Sequence, residues 1–355
     1  MKKLNILLIT KNFHMGGAEV HVCDLANQLS ESGHHVVLIS NAGGQTEHLV
    51  PQVEHHALKV NDINYLKNLF FIKKIIKEQQ IDIVHGHQRL GISLAIMASK
   101  LTGTPNVATI HGQLKYDIRS FMIRRWVQQL ICVRSNTYEQ TKKYPKLHQN
   151  SSLILNGVRP YPLSKNKEPF TLMYGSRIDK RHFAVLTMLI KDVLPELYQL
   201  NNDVKLLVFG EGKFSSELKE LIEQTNSSLG KQVIDFRGYT SELGLEYQQA
   251  GLALACARSA MDALCNNTAV LPVNVHNLGE PITTKNFSAL MANNFEPTTF
   301  PAPTPQGLIQ QISKYLDNPA YYQQQVELLQ QDISANLTLQ GAVEKTLKLY
   351  QSSLV

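Results

Sequence analysis

Apolar residues in this chain come in short continuous runs, separated by stretches in which they recur at helical intervals. Residues 4–9 are almost wholly apolar, the pattern of a strand buried on both faces. Residues 11–17 break the run with Asn12, His14, Gly16 and Gly17, and Val20, Leu25 and Leu29 then fall at the spacing of a helix. The alternation continues: it predicts strands over 35–40, 81–84, 107–110, 131–133 and 153–155, and amphipathic helical text over 65–79, 91–101 and 118–130. Residues 159–169 hold three prolines and read as a linker. Beyond it the pattern restarts, with strands over 170–174, 204–209, 233–237, 252–255 and 269–273 and helices over 183–200, 215–224 and 259–265. A proline-containing loop over 296–306 leads to helices over 307–316, 321–333 and 337–350. Strand and helix alternating through short loops mean parallel sheets covered on both faces, so the fold class is α/β with two separate sheets of similar size. In such sheets ligands sit beyond the carboxyl ends of the strands.

At 355 residues the chain has room for two ordinary domains, and no run of 18 apolar residues offers a membrane-spanning helix. The N-terminus enters a strand pattern at once, so no secretory leader is expected. The four cysteines (Cys23, Cys132, Cys256 and Cys265) are scattered and fit a reduced, cytoplasmic setting. Charge is uneven. Residues 1–165 carry 20 Lys and Arg against 10 Asp and Glu, whereas the remainder carries 15 against 19. A basic first half suits an anionic partner, an acidic lipid surface or a nucleic acid, or is simply a solvated face. The basic helices over 65–79 and 118–130 read in two ways: as membrane-contacting elements, or as sheet-covering helices with solvated Lys and Arg.

Candidate chemistry gathers at predicted strand ends. Gly16 and Gly17, between a buried strand and a helix N-terminus, either permit a tight turn or let the backbone approach an anion such as a diphosphate. His85, His87, His111 and Asn156 also fall just past predicted strands, which favours one site over scattered ones. His85 and His87 form an i, i+2 pair of potential metal ligands, but no third ligand is indicated, so one is expected to line the site and the other to pack. GEGKFS lacks the third glycine of a dinucleotide fingerprint, which weighs against a Rossmann oxidoreductase.

Taken together, these segments resemble GT-B glycosyltransferases of the large retaining family 4. GGAEVHVCDLANQLSESGHHVVLIS, IDIVHGH, PNVATIHG, LILNGV, LMYGSRI, LLVFGEGKFSSELKELIEQ and VIDFRGY follow that family's order and spacing. ARSAMDALCNNTAVLPVN, GEPITTKNF and NNF resemble a subgroup whose usual text is closer to GRSALEAMA. The resemblance implies two Rossmann-like domains facing each other across an interdomain cleft that holds a nucleotide-sugar. They would be an acceptor-side domain over 1–160, joined by the C-terminal helix within 337–355, and a donor-side domain over 170–336. It implies sugar transfer with retention, without a metal or other cofactor, to a glycan, lipid-linked or small-molecule acceptor, in bacterial cell-envelope polysaccharide synthesis. The protein would be cytoplasmic, with peripheral contact at the inner membrane face and no nucleic-acid partner. The chain has no DxD in a plausible loop; in a metal-free mechanism, helix N-termini, amides and Arg or Lys would offset the departing diphosphate's charge.

Carried over residue by residue, the resemblance makes Gly16 and Gly17 the donor-phosphate loop. His111 becomes the histidine that meets the transferred sugar, against the alternative of a loop-capping histidine. Arg177 becomes the arginine on the donor phosphates, against the alternative of a surface ion pair. The family's lysine five positions later is His182 here, leaving Lys180 and Arg181 as substitutes. Asp262 stands where a glutamate meets the nucleotide ribose and is one methylene shorter. A further family glutamate is replaced by Leu254, and the subgroup's glycine before Arg258 is Ala257. Gly212, Gly238 and Arg258 fall near the nucleotide, and His85, His87, Asn156 and His182 are expected to line the cleft. These departures keep two other readings open: a relative that binds without transfer, and a nucleotide-sugar epimerase.

Overall fold

The computed structural model describes residues 3–14, 16–115, 117–163 and 167–354. Three positions of the expected linker, 164–166, lie outside the described residues, as do one residue of the first glycine loop, 15, position 116 and both chain ends. The chain divides into two units: unit 1 comprises Met1–Gly157 with Leu339–Val355, and unit 2 comprises Val158–Thr338.

In chain order unit 1 contains β1 (Asn5–Ile9), α1 (Gly17–Glu31), β2 (His35–Ser40), β3 (Glu54–Ala57), α2 (Tyr65–Glu78), β4 (Ile83–His87) and α3 (Gln88–Thr102). It continues with β5 (Asn106–Ile110), α4 (Ile118–Trp126), β6 (Gln129–Cys132), α5 (Ser135–Thr141), α6 (Pro145–Gln149) and β7 (Ser151–Leu153). Its strands form one parallel sheet in the order β3-β2-β1-β4-β5-β6-β7. The continuous apolar run of β1 is explained by two cores. Ile6 and Leu8 join a cluster with Val22, Leu25 and Leu29 of α1, while Leu7 and Ile9 join another with Leu69, Ile72 and Leu94.

Unit 2 holds β8 (Glu168–Gly175), α7 (Lys180–Met188), a π-helical turn (Leu189–Val193), α8 (Leu194–Leu200), β9 (Lys205–Phe209), α9 (Ser215–Leu229) and β10 (Ile234–Gly238). There follow α10 (Leu243–Tyr247), β11 (Ala250–Leu254), α11 (Ala257–Cys265), β12 (Ala269–Leu271), α12 (Phe287–Ala292), α13 (Pro305–Leu316), α14 (Pro319–Leu328) and α15 (Gln330–Leu337). Its parallel sheet runs β10-β9-β8-β11-β12. The last helix, α16 (Leu339–Ser352), returns to unit 1, where Val343, Leu347 and Tyr350 join the core under β1 and α1.

Several elements differ from their sequence-based bounds, each for a physical reason. β4 does not stop at Val84: it runs on to His87, so His85 and His87 lie within the strand and not past its end. Gly86 allows this, because a Cβ there would sit 2.6 Å from the Ile92 Cα of α3. The helix expected over 183–200 is interrupted by the π turn just before Pro195, whose missing N–H cannot complete a regular α ladder. The helix expected over 321–333 is two, α14 and α15. The edge strand β3, with the text EHHA and little burial, shows no apolar pattern.

Candidate functional site

In unit 1 the chain leaves β1 for β2 on one side and reaches β4 on the other, so β1 and β4 flank a topological switch point where this fold class accepts ligands. Gly16 caps α1 in an extended conformation that any residue adopts, and a Cβ on it would meet only the flexible end of Glu19. A Cβ on Gly17 would meet nothing within 4 Å. Neither glycine is required by backbone strain; Gly17 leaves open space at the helix N-terminus, while a side chain at Gly16 would have to displace the end of Glu19.

His85 is fully buried, and its ring is fixed at both nitrogens: Nδ1 lies 2.6 Å from the Tyr350 hydroxyl of α16, and Nε2 lies 2.8 Å from Thr109 Oγ1 of β5. It is the packing member of the pair. Its ring lies 4.1 Å from that of His87, also fully buried, whose Nδ1 stands 3.4 Å from Nε2 of the partly exposed His111. Burial, then the neighbouring His111, pull His85 down to about 3; burial, then the Arg134 charge, pull His111 down to about 4. Burial and the surrounding His85, His111 and His21 lower His87 as well. At neutral pH these imidazoles are uncharged. His111 is therefore a neutral hydrogen-bonding group and not a counter-charge. His21 of α1, which no motif or spacing singled out, has its ring 5.2 Å from that of His111 and 5.9 Å from that of His87.

His111 also lines a cavity of about 420 Å³ with Lys11, Arg89, Lys115 and Arg119. Arg89 pairs with Asp117 and Arg119 with Asp62. Gln88, the first residue of α3, has a positive φ of 54°. Its amide accepts from the Asn12 backbone N–H and donates to Glu19, tying the loop after β1 to α1. Asn156 follows β7, with a buried side-chain oxygen that no described group satisfies by a hydrogen bond.

In unit 2 the loops after β8 and β9 are bound to each other: the Ile178 N–H donates to Glu211 O and the Gly210 N–H to Gly238 O. A Cβ at Gly210, whose φ is 135°, would collide with Ser176 O, and one at Gly212 would lie 2.5 Å from Ile178 O. Gly238 has a φ of 71°. These close approaches place Arg177, Gly212 and Gly238 on one sheet edge. Ser259 Oγ donates to Gly175 O at 3.2 Å, which brings the N-terminus of α11 to the same edge. Arg258 and Asp262 face each other one helical turn apart, at 3.9 Å.

Arg177 and Lys180 are exposed there. Arg181 is paired with Asp179, which also caps α7 by accepting from the Arg181 and His182 N–H groups. His182 is held through Nδ1 by the Tyr174 hydroxyl at 3.0 Å, and burial lowers its pKa further than Asp179 raises it. It does not supply the lysine's charge at neutral pH. Ala257, at the glycine position of the subgroup, has a φ of 50°, in the left-handed region that favours glycine.

Residues 15–160 match the family described as Glycosyltransferase Family 4. The chain is 25% identical over 251 residues to a phosphatidylinositol N-acetylglucosaminyltransferase subunit of Arabidopsis thaliana, covering 62% of this chain and 55% of that protein. The chain thus spans about half the length of the curated relatives it matches. Among solved structures, a glycosyltransferase from Rickettsia africae superposes with a TM-score of 0.75 at 19% identity, covering 100% of this chain and 99% of the other. HepE of Anabaena, solved with UDP and glucose, superposes with a TM-score of 0.71 at 14% identity, covering 98% and 100%. With two parallel α/β sheets and this overall similarity the chain has the GT-B fold, and its first unit matches glycosyltransferase family 4.

Proposed function

We propose that the chain transfers a sugar, with retention of configuration and without a metal, from a nucleotide-sugar to an acceptor carried on a lipid. The observation that carries this reading is the cationic edge of unit 2. Arg177 and Lys180 stand exposed beside the amides of a loop whose glycines 210 and 212 let the backbone close in. Protein cations and backbone N–H groups of this kind offset charge developing on a departing diphosphate. Arg258 and Asp262 on the same edge are suited to the nucleoside. In unit 1, neutral His111 provides a hydrogen bond to the sugar, and Gly16 and Gly17 leave room for phosphate at the N-terminus of α1. HepE's complex with UDP makes a uridine nucleotide the first donor to try.

A membrane-borne acceptor is supported by exposed apolar side chains among the basic ones. Ile63 is 94% exposed, Leu66 and Phe70 66%, and Ile118 73%. α2 and α4 both pack on α3, and the Arg119–Asp62 ion pair draws the start of α4 to the segment before α2. Apolar residues with Lys67, Arg124 and Arg125 on the same two helices suit an anionic bilayer surface. Among the described residues no helix is long and apolar enough to cross a membrane.

The test is incubation with UDP-, GDP- and ADP-sugars in the presence of a chelator, with anomeric analysis of the product. Transfer or slow donor hydrolysis that His111→Ala suppresses is expected. Donor binding without turnover would mark a non-catalytic relative, and an isomerised donor in the absence of acceptor would mark an epimerase.

A further inference from the structure

We propose that His21, His87 and His111 form a three-imidazole binding site for a zinc-like divalent ion, and that an ion held there blocks transfer by taking up His111. Among the described residues these three each offer one ring nitrogen, and the three atoms lie within 4.8 Å of one another. His87 Nδ1 and His111 Nε2 are already 3.4 Å apart. Bonds of about 2.0–2.1 Å to a tetrahedral zinc set two ligand nitrogens about 3.4 Å apart, the separation this pair already has. The ligand nitrogen of His21 lies within 4.8 Å of both and would have to move closer to complete the set. The ligands come from three places in the chain: α1, β4 and the residue that follows β5. His85, held by Tyr350 and Thr109, packs against the His87 ring at 4.1 Å and fixes its plane from behind.

The donor set decides the ion. Three nitrogens without a carboxylate suit zinc, cobalt, nickel or copper, and not magnesium or manganese, which prefer oxygen. Three protein ligands leave a fourth position open. Arg134, close enough to His111 to repel a proton, also repels a cation, so the site favours an anionic fourth ligand, hydroxide or a phosphate oxygen, which offsets part of the positive charge. The site is thus distinct in chemistry from a magnesium-diphosphate site. Only its effect on transfer rests on the function proposed above.

The experiment uses the full chain stripped with chelator and titrated with Co²⁺ and then Zn²⁺. One equivalent of Co²⁺ should give the intense visible bands of a tetrahedral site, displaced by Zn²⁺ and untouched by Mg²⁺. His21→Ala should weaken affinity by about 100-fold, comparable to or beyond what loss of a supporting residue costs, whereas His148→Gln in α6 should not. X-ray absorption of the zinc-loaded wild type should show about three imidazoles at about 2.0 Å, a readout that needs no variant to fold. Unchanged affinity in His21→Ala, or a shell with fewer than three imidazoles, overturns the site. In the donor assay, one equivalent of Zn²⁺ should abolish wild-type turnover reversibly. His21→Ala, compared with its own metal-free rate, should escape. Zinc binding with undiminished turnover overturns the blocking role. Absence of turnover under every condition refutes the transferase reading while the cobalt spectra still decide the site.

Discussion

At the end of β4 the chain buries uncharged imidazoles against one another and against the final helix; at the end of β8 it leaves Arg177 and Lys180 in solvent beside glycine-lined amides. Both places are the carboxyl edge of a parallel sheet at its switch point. One edge presents imidazoles that packing preorganises and that are uncharged at neutral pH, beside a cavity lined by Lys11, Arg89, Lys115 and Arg119. The other carries charge and derives its shape from backbone proximity. Under the proposed function, the neutral imidazoles of the first edge would orient the sugar while the cations of the second would meet the diphosphate.

The largest effect that would break this comparison is loss of the exposed arginine. Arg177→Ala should reduce kcat/KM by about 100–1,000-fold, the usual consequence of removing one group that stabilises developing charge, with Arg177→Lys partly restoring it. Retained activity would remove the electrostatic role assigned to unit 2.

Acid should separate the edges next. His85 and His111 bind protons more weakly when folded than when unfolded, so the unfolded chain takes up protons as pH falls below about 6.5. Their contribution to stability is complete above that pH and is lost progressively down to about 4 for His111 and about 3 for His85. The total loss should be on the order of a few kcal/mol. Fluorescence of Trp126, the single tryptophan and a residue of α4, follows unit 1 during denaturant unfolding at each pH. A midpoint flat between pH 7 and 4 would contradict the buried neutral cluster.

A smaller change sharpens the charged edge. His182→Lys restores a cation at the first turn of α7 and gives up the Tyr174 hydrogen bond. Donor KM should fall a few-fold, roughly the gain of one partly exposed charge contact. The effect should disappear at high salt.

The smallest effect compares two strained residues in matching places. Gln88 and Ala257 both open the helix after a strand beside the switch point, and both have positive φ. Ala257→Gly relieves the left-handed penalty and should stabilise the chain by about 0.5–1 kcal/mol in denaturant titrations, part of the gain being offset by greater unfolded-state freedom. Gln88→Gly relieves the same strain but cuts both ties of the amide to Asn12 and Glu19. It should weaken donor binding, measured as KM, even where stability is kept.

What the amino-acid pattern disclosed, and what it concealed, follows from where each signal lives. The β1–loop–α1 unit was legible because apolar runs and helical spacing are local properties. β3 was not, since an edge strand with the text EHHA is held by pairing to β2 and has no buried face to write into the sequence. The His-Gly-His text looked like the end of a strand because its histidines are polar. It continues the strand because Thr109 and Tyr350 satisfy His85 from elements far away in sequence. His21 carries no signal in the sequence for a related reason: one histidine on an amphipathic helix is ordinary until β4 and β5 bring two more beside it. The departure at His182 was legible, but its neutrality was not, because burial and the Tyr174 hydroxyl set it. The glycine missing at position 257 became meaningful only with its φ.

The hydrogen bond between His85 and Tyr350 joins residues 265 positions apart, and unit 2 occupies the sequence between them. During synthesis the first sheet emerges early, yet the helix that completes its core leaves the ribosome only after the whole of the second unit. Until then the apolar faces of β1 and α1 that α16 covers stay open to solvent, an interval in which nascent chains are prone to associate. Assembly of unit 1 is thus a late event with a long loop to close. Removing α16 should yield a chain whose second unit matures normally while its first is captured by chaperones.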